Sequence, residues 1–587
     1  MPELNSPGIQ VRHVVVAYLE TQNPRYVFGV PGSYILGFYD ALLASERLEP
    51  ILTKHEQGAA IMADAYAKIA GTLSCCCGTA GPGATNLLTG VGNAYMGSSP
   101  VFVLTGQVPT SYFGKGALQE GTGLGRSIDQ QKIYSALTKF TARLTDPAAT
   151  EATMRKALER ALSGRPGPVH LGIPIDVLNS PCPAPRLEPL AVANRTASPE
   201  EVERAAKAIA EGGRAAILAG AGALFSDSAP EILRLAEGLG IPVATTMKAK
   251  GIVPEDHPLS LGCAGLYGAN VANAYLRDHC DTLIAIGASF HEFTTECYDE
   301  ALAPRKALIQ LDADPAEIGK NYPAEVGLVG NPKANLQLLL EALDEGVAER
   351  ADPPPEVADL KRKFRHFDEP ASRDASAPIK PPYLMTCLRG CLPRDAIVFS
   401  ESITWTERYL PCYGPKTHIA GTGLAPIGYA LPASVGGKLA APDRMVVGIA
   451  GDGGFHLNAM ELLTAVNYGV PVKWIVLDNG RFASIHDAQS LLYEGRHVAS
   501  EFRNPDFVAL AQAFGATGVR IEDPRGLEDQ LRAALALDGP VLIDVVVDPE
   551  SRPPFKPASL KRARDWKAPL PDTRLGTKAV IEMLKER

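Results

Sequence analysis

The chain has 587 residues, 46% of them hydrophobic and 21% charged, and its 57 basic against 66 acidic side chains leave a net charge of −9. That balance excludes a disordered or collagenous chain, and at roughly 150 residues per domain the length predicts three to four domains. The acidic net charge argues against a general nucleic-acid binder, and no apolar run approaches the ~18 residues that a membrane span needs.

The N-terminal segment MPELNSPGIQVRH has no basic region followed by an apolar core, so no secretory signal is expected. The ten cysteines include three in a row, Cys75, Cys76 and Cys77, and none stands in a CxxC spacing. They are read as reduced thiols used as small hydrophobes, which points to a cytoplasmic protein.

Strand-like apolar runs alternate with helical patterns along nearly the whole chain, which predicts an α/β protein of three doubly wound parallel-sheet domains. The expected divisions are 1–185, 195–348, a charged, exposed linker with a helical piece at 349–382, 383–552, and a tail at 553–587. The first block carries glycine-bearing loops at Phe28–Ser33 and Gly78–Asn86, and Lys54-His55-Glu56-Gln57 leads into an Ala-rich helix over 59–69. His55-Glu56 does not open a zinc-protease motif, because position 59 is Ala where that motif needs His. Glu56 by itself reads as a helix-start charge favoured by the dipole.

The block closes on a strand at 169–173 and a Pro-rich connector, and Ser198 then caps a helix beginning PEEVER. Ile217–Ala223 begins a GxGxxG pattern, but Phe225 stands where the third glycine belongs, so the dinucleotide signal is weak.

The third block holds the strongest motif. Met445–Ala450 reads as a buried strand, Gly451-Asp452-Gly453-Gly454 follows, a helix is expected over 455–468, and 472–477 is the next strand, ending at Asp478-Asn479-Gly480. A βαβ unit of this kind is right-handed with parallel strands, so Asp452 and Asn479 stand at adjacent carboxyl edges, where open α/β sheets place ligands. The glycines permit backbone to approach a diphosphate, and the helix start offers free N–H groups. One carboxylate, one amide oxygen and a main-chain carbonyl suit Mg²⁺. Taken alone, GDGG is equally a tight turn and Asn479 a helix cap.

Gly451-Asp452-Gly453 followed by Asn479 resembles the motif of thiamine-diphosphate enzymes of the pyruvate oxidase, 2-oxo acid decarboxylase and acetolactate synthase group. The resemblance covers essentially the whole chain, in the order pyrimidine-binding, middle and diphosphate-binding domain. It implies a thiamine diphosphate and Mg²⁺ site in which Gly451, Asp452, Gly453 and Gly454 border the diphosphate. Asp452, Asn479 and the main-chain carbonyl of Arg481 would be the metal ligands. Asp478 stands where many members have a first asparagine.

In the same family a Glu in a KHEQGAA-like setting hydrogen-bonds a pyrimidine ring nitrogen and so promotes removal of the thiazolium C2 proton, which assigns Glu56 a catalytic and cofactor-binding role. The resemblance places Pro82 and Asn86 beside it. It puts Ile427, in Gly423–Pro432, as the apolar prop between the cofactor rings, with the Ala425 carbonyl facing the exocyclic amine. Ile427 as a plain core residue is the other reading. Leu118-Gln119-Glu120 resembles the Phe-Gln-Glu triplet of acetolactate synthases, which makes Gln119 the residue facing the reaction intermediate, and a plain surface-loop residue is the alternative.

Acetolactate synthases hold FAD in the middle domain. Their Arg-containing segment corresponds to 287–292 here, which has no Arg, so FAD and a domain kept for packing alone both stand open. The basic tail from Lys556 to Lys567 reads as a solvated surface or as a flap attracting an anionic substrate.

The function so implied is an acetolactate synthase-like carboligase or lyase. It would decarboxylate a pyruvate-like 2-oxo acid and transfer the acyl unit to a second carbonyl, in a homodimer or homotetramer with no nucleic-acid or membrane partner. A simple 2-oxo acid decarboxylase or another thiamine-dependent C–C lyase is the nearest alternative, since Glu401–Trp405 replaces the expected Met-containing segment. A non-catalytic scaffold of the same fold is the alternative of a different class, and the presence of Glu56, Asp452 and Asn479 argues against it.

Overall fold

The computed structural model describes residues 8–188, 190, 192, 195–343, 351–401 and 403–554. Three six-stranded sheets follow one another along the chain, and every strand pair in them is parallel. The first contains β1 (Tyr26–Gly29), β2 (Glu49–Leu52), β3 (Ser74–Gly78), β4 (Val101–Gln107), β5 (Phe140–Arg143) and β6 (Val169–Pro174), in the order β2-β1-β3-β4-β6-β5. The second contains β7 (Ala215–Ala219), β8 (Val243–Thr245), β9 (Ser260–Cys263), β10 (Thr282–Ile286), β11 (Ala307–Asp312) and β12 (Val326–Val329), ordered β12-β11-β10-β7-β8-β9. The third contains β13 (Ile397–Ser400), β14 (His418–Ala420), β15 (Val446–Gly451), β16 (Lys473–Asp478), β17 (Thr517–Ile521) and β18 (Val541–Val546), ordered β14-β13-β15-β16-β18-β17.

The first and third sheets are thus wound alike, and the middle one has the dinucleotide-fold order. Their central strands are apolar on both faces because helices cover both sides. The three consecutive cysteines fill β3 in this way: all are fully buried, all ten cysteines of the chain are free, and burial pushes the Cys77 thiol up to about 12. Among the described residues no helix is long and apolar enough to cross a membrane.

The like-wound domains pack through equivalent helices. The helix Glu56–Ala70 follows β2, and the helix Ala430–Ala440 comes after β14. The first helix presents small residues to the second: Ala59, Ala60 and Ala63 share one core with Ala430, Leu431 and Val435. Gly436 lies against the Met62 carbonyl, where any Cβ would collide.

A buried polar knot locks the same interface. Asp64 takes Lys68 Nζ at 2.6 Å, Ser99 Oγ at 2.6 Å, Asn93 Nδ2 at 2.9 Å and the Tyr429 hydroxyl at 3.1 Å. Four donors on one carboxylate satisfy a charge that burial would otherwise penalise heavily.

Two expectations about local structure are corrected. The single helix expected over 455–468 is two helices, Asp452–Asn458 and Glu461–Asn467, so Asp452, Gly453 and Gly454 form a first helical turn and not a loop. The break falls at Ala459-Met460, where Met460 is 54% exposed although Phe455, Met460, Leu463 and Val466 stand at near-helical spacing, and Asn458 turns its amide onto the Gly428 carbonyl at 2.8 Å. The segment at 349–382 is not simply exposed: its helix Pro355–Phe364 buries Val357 and Leu360 in the middle-domain core. The basic tail at 556–567 lies outside the described residues.

Candidate functional site

The carboxyl edge of the first sheet carries one group of candidate residues. After β2, His55 caps the helix Glu56–Ala70, its Nδ1 accepting the Gln57 N–H at 3.0 Å. From the third domain, Glu461 Oε1 accepts the backbone N–H groups of Lys54 at 3.1 Å and His55 at 3.0 Å. The helix start is therefore fixed, and Glu56, only 9% exposed, accepts the Asn86 amide at 2.9 Å.

Asn86 closes the short helix Pro82–Asn86 after β3, and Pro82 faces solvent on that helix. Gly81, at φ +61°, makes the entry turn, and a Cβ there would stand 2.9 Å from Gln119. Gln119 is half-buried against this turn at φ +64°, so it is not a free surface residue. Its neighbour Glu120 ties the loop internally, accepting the N–H groups of Gly114, Gly116 and Ala117 and the Thr122 hydroxyl.

The carboxyl edge of the third sheet carries the other group. β15 and β16 pair in parallel with Gly451 opposite Leu477, which sets Asp452 beside the start of the 479–481 turn. Asp452 Oδ2 accepts the N–H groups of Asn479 at 2.9 Å and Gly480 at 2.6 Å, and Oδ1 accepts the Gly453 N–H at 2.8 Å. Burial raises its pKa, and these bonds oppose the rise. A Cβ on Gly451 would meet only open space, whereas one on Gly453 would strike the Phe482 ring. The Arg481 side chain turns away to the Pro549 carbonyl at 3.2 Å, and its backbone bridges to Glu501.

The sequence reading missed two residues here. Asn504 Nδ2 donates to Asp452 Oδ2 at 2.8 Å and to Asp478 Oδ1 at 2.6 Å, joining the two acids. Its only sequence signal is an Asn-Pro turn, which says nothing of a partner 52 positions away.

Glu401 follows β13 directly. Its two oxygens accept the N–H groups of Gly428 at 2.7 Å and Ala430 at 2.6 Å, flanking the loop that carries Ile427. Burial lifts its pKa to about 7, against the opposing pull of those two bonds. A charged residue at the carboxyl end of an apolar strand was the available signal. Ile427 is 45% exposed and is not core; Gly428, at φ +85°, turns the chain sharply behind it. Ala425, at φ +53°, faces the middle domain.

The site residues thus fall into two sets by sheet edge, Glu56 with Asn86 and, beside Gly81, Gln119 at the first, and Asp452 with Asn504 and the Asn479 backbone at the third. Among the described residues no hydrogen bond or ion pair of the chain links one set to the other. A cavity of about 820 Å³ lies at the carboxyl ends of β7, β8 and β10, bordered by Arg165, Arg195, Lys248 and Gly222, with Gly423 and Ala425 reaching it from the third domain; no member of either set lines it. Gly220 and Gly222 lie against Gly287, which explains two glycines of the incomplete motif as loop-on-loop packing. Burial lowers the Lys248 pKa to about 7.

Two sheet edges of identical winding, one bearing a buried glutamate and the other a buried aspartate beside an asparagine, define a thiamine pyrophosphate enzyme, and the chain belongs to that family. Its models match as the N-terminal TPP binding domain at 9–132, the central domain at 202–339 and the C-terminal TPP binding domain at 400–545. Among individual relatives, the chain is 38% identical over 571 residues to a probable acetolactate synthase large subunit of Methanocaldococcus jannaschii, covering 92% of this chain and 93% of the relative. It is 34% identical to the acetolactate synthase large subunit of Corynebacterium glutamicum, with 92% and 87% covered. To that of Parasynechococcus marenigrum it is 37% identical, with 89% and 85% covered.

Proposed function

We propose that the protein is an acetolactate synthase-like carboligase acting on pyruvate-like 2-oxo acids, with thiamine diphosphate and Mg²⁺ held between the two sets of residues. What supports this is the presence in one chain of Glu56, buried and bonded to Asn86, and of an oxygen donor set at Asp452 and Asn479. The residues fit these groups. Mg²⁺ takes carboxylate, amide and carbonyl oxygen, and the open space at Gly451 is where a diphosphate would approach backbone. Bound there, the coenzyme supplies an electron sink for loss of CO₂ from a 2-oxo acid.

The chain's own residues do the rest. Glu56 holds a proton at the pyrimidine ring, Asn86 orients Glu56, Asp452, Asn479 and the Arg481 carbonyl hold the cation, and Ile427 wedges the ring system. Gln119, backed by Gly81, orients the carbonyl substrate. Two copies complete each site, the Glu56 set of one facing the Asp452 set of the other. Leu118, Leu124, Leu424, Ile427, Leu457 and Met460 are exposed around these edges, as surfaces awaiting a partner would be. The ten free thiols fit the reducing cytoplasm, where we place the enzyme.

Arg165 and Arg195 border the 820 Å³ cavity, which Asp312 and Glu292 also line, and would meet a dinucleotide diphosphate there; we assign the cavity to FAD. Gel-filtered protein reconstituted with FAD should keep its flavin absorbance, and a colourless product refutes that assignment.

The principal test incubates the protein with thiamine diphosphate, Mg²⁺ and a panel of 2-oxo acids, following CO₂ and products by mass spectrometry. Acetolactate formed with one CO₂ per coupled pair is the expected result. CO₂ with free aldehyde would make it a simple decarboxylase, and inertness to the whole panel would overturn the reading.

A further inference from the structure

We propose that His486, His497 and Glu501 form a site for one zinc-class divalent cation, separate from the Asp452–Asn479 site, which clamps residues 493–501 onto the helix Ala483–Leu492. The three side chains offer two imidazole nitrogens and a carboxylate oxygen, all within 4.8 Å of one another. That donor set suits Zn²⁺, Co²⁺ or Cu²⁺ and not Mg²⁺, which prefers oxygen alone. Around a tetrahedral ion with bonds of about 2.1 Å the donors stand about 3.4 Å apart, so the site closes by a shift of at most about 1.4 Å.

One edge is already at that spacing, with His486 Nε2 lying 3.3 Å from Glu501 Oε1. The two imidazoles stack with centroids 3.7 Å apart at 22°, so a shared cation requires the exposed His497 ring to turn out of the stack while His486 stays in place. Three protein ligands leave a fourth position for water.

The backbone around the cluster is pre-assembled. Gln489 Nε2 donates to the Val498 carbonyl at 2.9 Å, and Gln489 Oε1 accepts the Ser500 hydroxyl at 2.8 Å. Phe482 N–H donates to the Ser500 carbonyl and Phe502 N–H to the Gly480 carbonyl, both at 2.9 Å. Glu501 therefore belongs to a segment paired with the turn that follows Asn479, and its partner in the backbone bridge is Arg481. A cation at the three side chains would cross-link that segment to the helix through His486, which is fixed and 5% exposed.

The test uses the enzyme saturated with thiamine diphosphate and Mg²⁺, titrated with Co²⁺ and, separately, Zn²⁺. The expected result is one Co²⁺ per chain with the visible bands of imidazole ligation, displaced by Zn²⁺. H486A and H497A should lose the bands. Their affinity should fall by more than the ~10–100-fold seen when an outer hydrogen-bond partner of a ligand is removed. In wild type, Zn²⁺ should slow amide exchange of residues 493–499, with no such change in H497A. Absence of saturable Co²⁺ binding, bands that persist in H497A, or exchange indifferent to Zn²⁺ would overturn the proposal.

Discussion

Glu401 offers a sharp test of how the Ile427 loop is held, because its two oxygens each accept one backbone N–H, from Gly428 and Ala430. Gln in its place keeps one acceptor and turns an NH₂ group against the other N–H. The loss is one hydrogen bond to a charged group, worth about 1.5–3 kcal/mol, which corresponds to about 10- to 150-fold in thiamine diphosphate affinity if the cofactor needs the loop ordered.

The effect on global stability has the opposite sign. Burial lifts the Glu401 pKa from 4.5 to about 7, so above pH 7 the ionised carboxylate costs the folded state about 3 kcal/mol, while below pH 4.5 the group is neutral in both states and costs nothing. Wild-type stability therefore loses this increment as pH rises through that window, and E401Q does not. Relative to wild type, E401Q should gain about 3 kcal/mol between pH 4.5 and pH 8 in urea denaturation. Its cofactor affinity, read by circular dichroism of apoprotein titrated with thiamine diphosphate and Mg²⁺, should be lower than wild type at pH 8. That gap should shrink at pH 6, where the wild-type carboxyl takes up its own proton. Equal affinities at pH 8, or a gap indifferent to pH, would refute the reasoning.

E56Q keeps an acceptor for Asn86 but cannot share a proton with a ring nitrogen, so turnover should fall by about 10²–10⁴-fold with the melting temperature unchanged; steady-state kinetics beside differential scanning fluorimetry checks both. D64A strands Lys68 and three other donors at the interface of the first and third domains, so urea denaturation should show a loss of about 3–5 kcal/mol, and a loss under 1 kcal/mol would contradict the knot's role. Thiamine diphosphate with Mg²⁺ at about 100 times its dissociation constant should stabilise the native protein by about 2.7 kcal/mol, a rise in melting temperature that EDTA reverses and D452A abolishes.

The fold was legible because its signals are local. The runs 445–450 and 472–477 are strands within a residue of their expected ends, and Ser198 caps its helix through a reciprocal bond with Glu201. Errors arose where a distant partner decided the outcome. Met460 fits the helical spacing but lies beside Asn458, whose bond to Gly428 accompanies a break that no periodicity announces. Val357 and Leu360 sit among charges and prolines, and only the middle-domain core reveals them as buried. Glu401 and Asn504 were passed over for the same reason: their partners are 26 to 52 residues away, and their roles follow from which strand ends the sheet brings together.

The pairing of the like-wound domains also bears on how a site could be completed. The helix Glu56–Ala70 uses its Ala-lined face against Ala430–Ala440, and Glu461 grips the backbone just before it, so the Glu56 end cannot slide along its own third domain. The Glu56 carboxylate meanwhile turns to Asn86, and the Ile427 loop is tied to Glu401 and Asn458. Both edges are tied down by these bonds, and exposed apolar side chains lie near each. Closing one on the other within a chain would require breaking an interface held by the buried Asp64 knot, whereas a second copy could cover both at once through a two-fold axis. Activity per chain should then fall on dilution below the dissociation constant of the dimer and return on concentration, with secondary structure unchanged throughout. Activity strictly proportional to chain concentration down to the nanomolar range would mean that one chain builds the site alone.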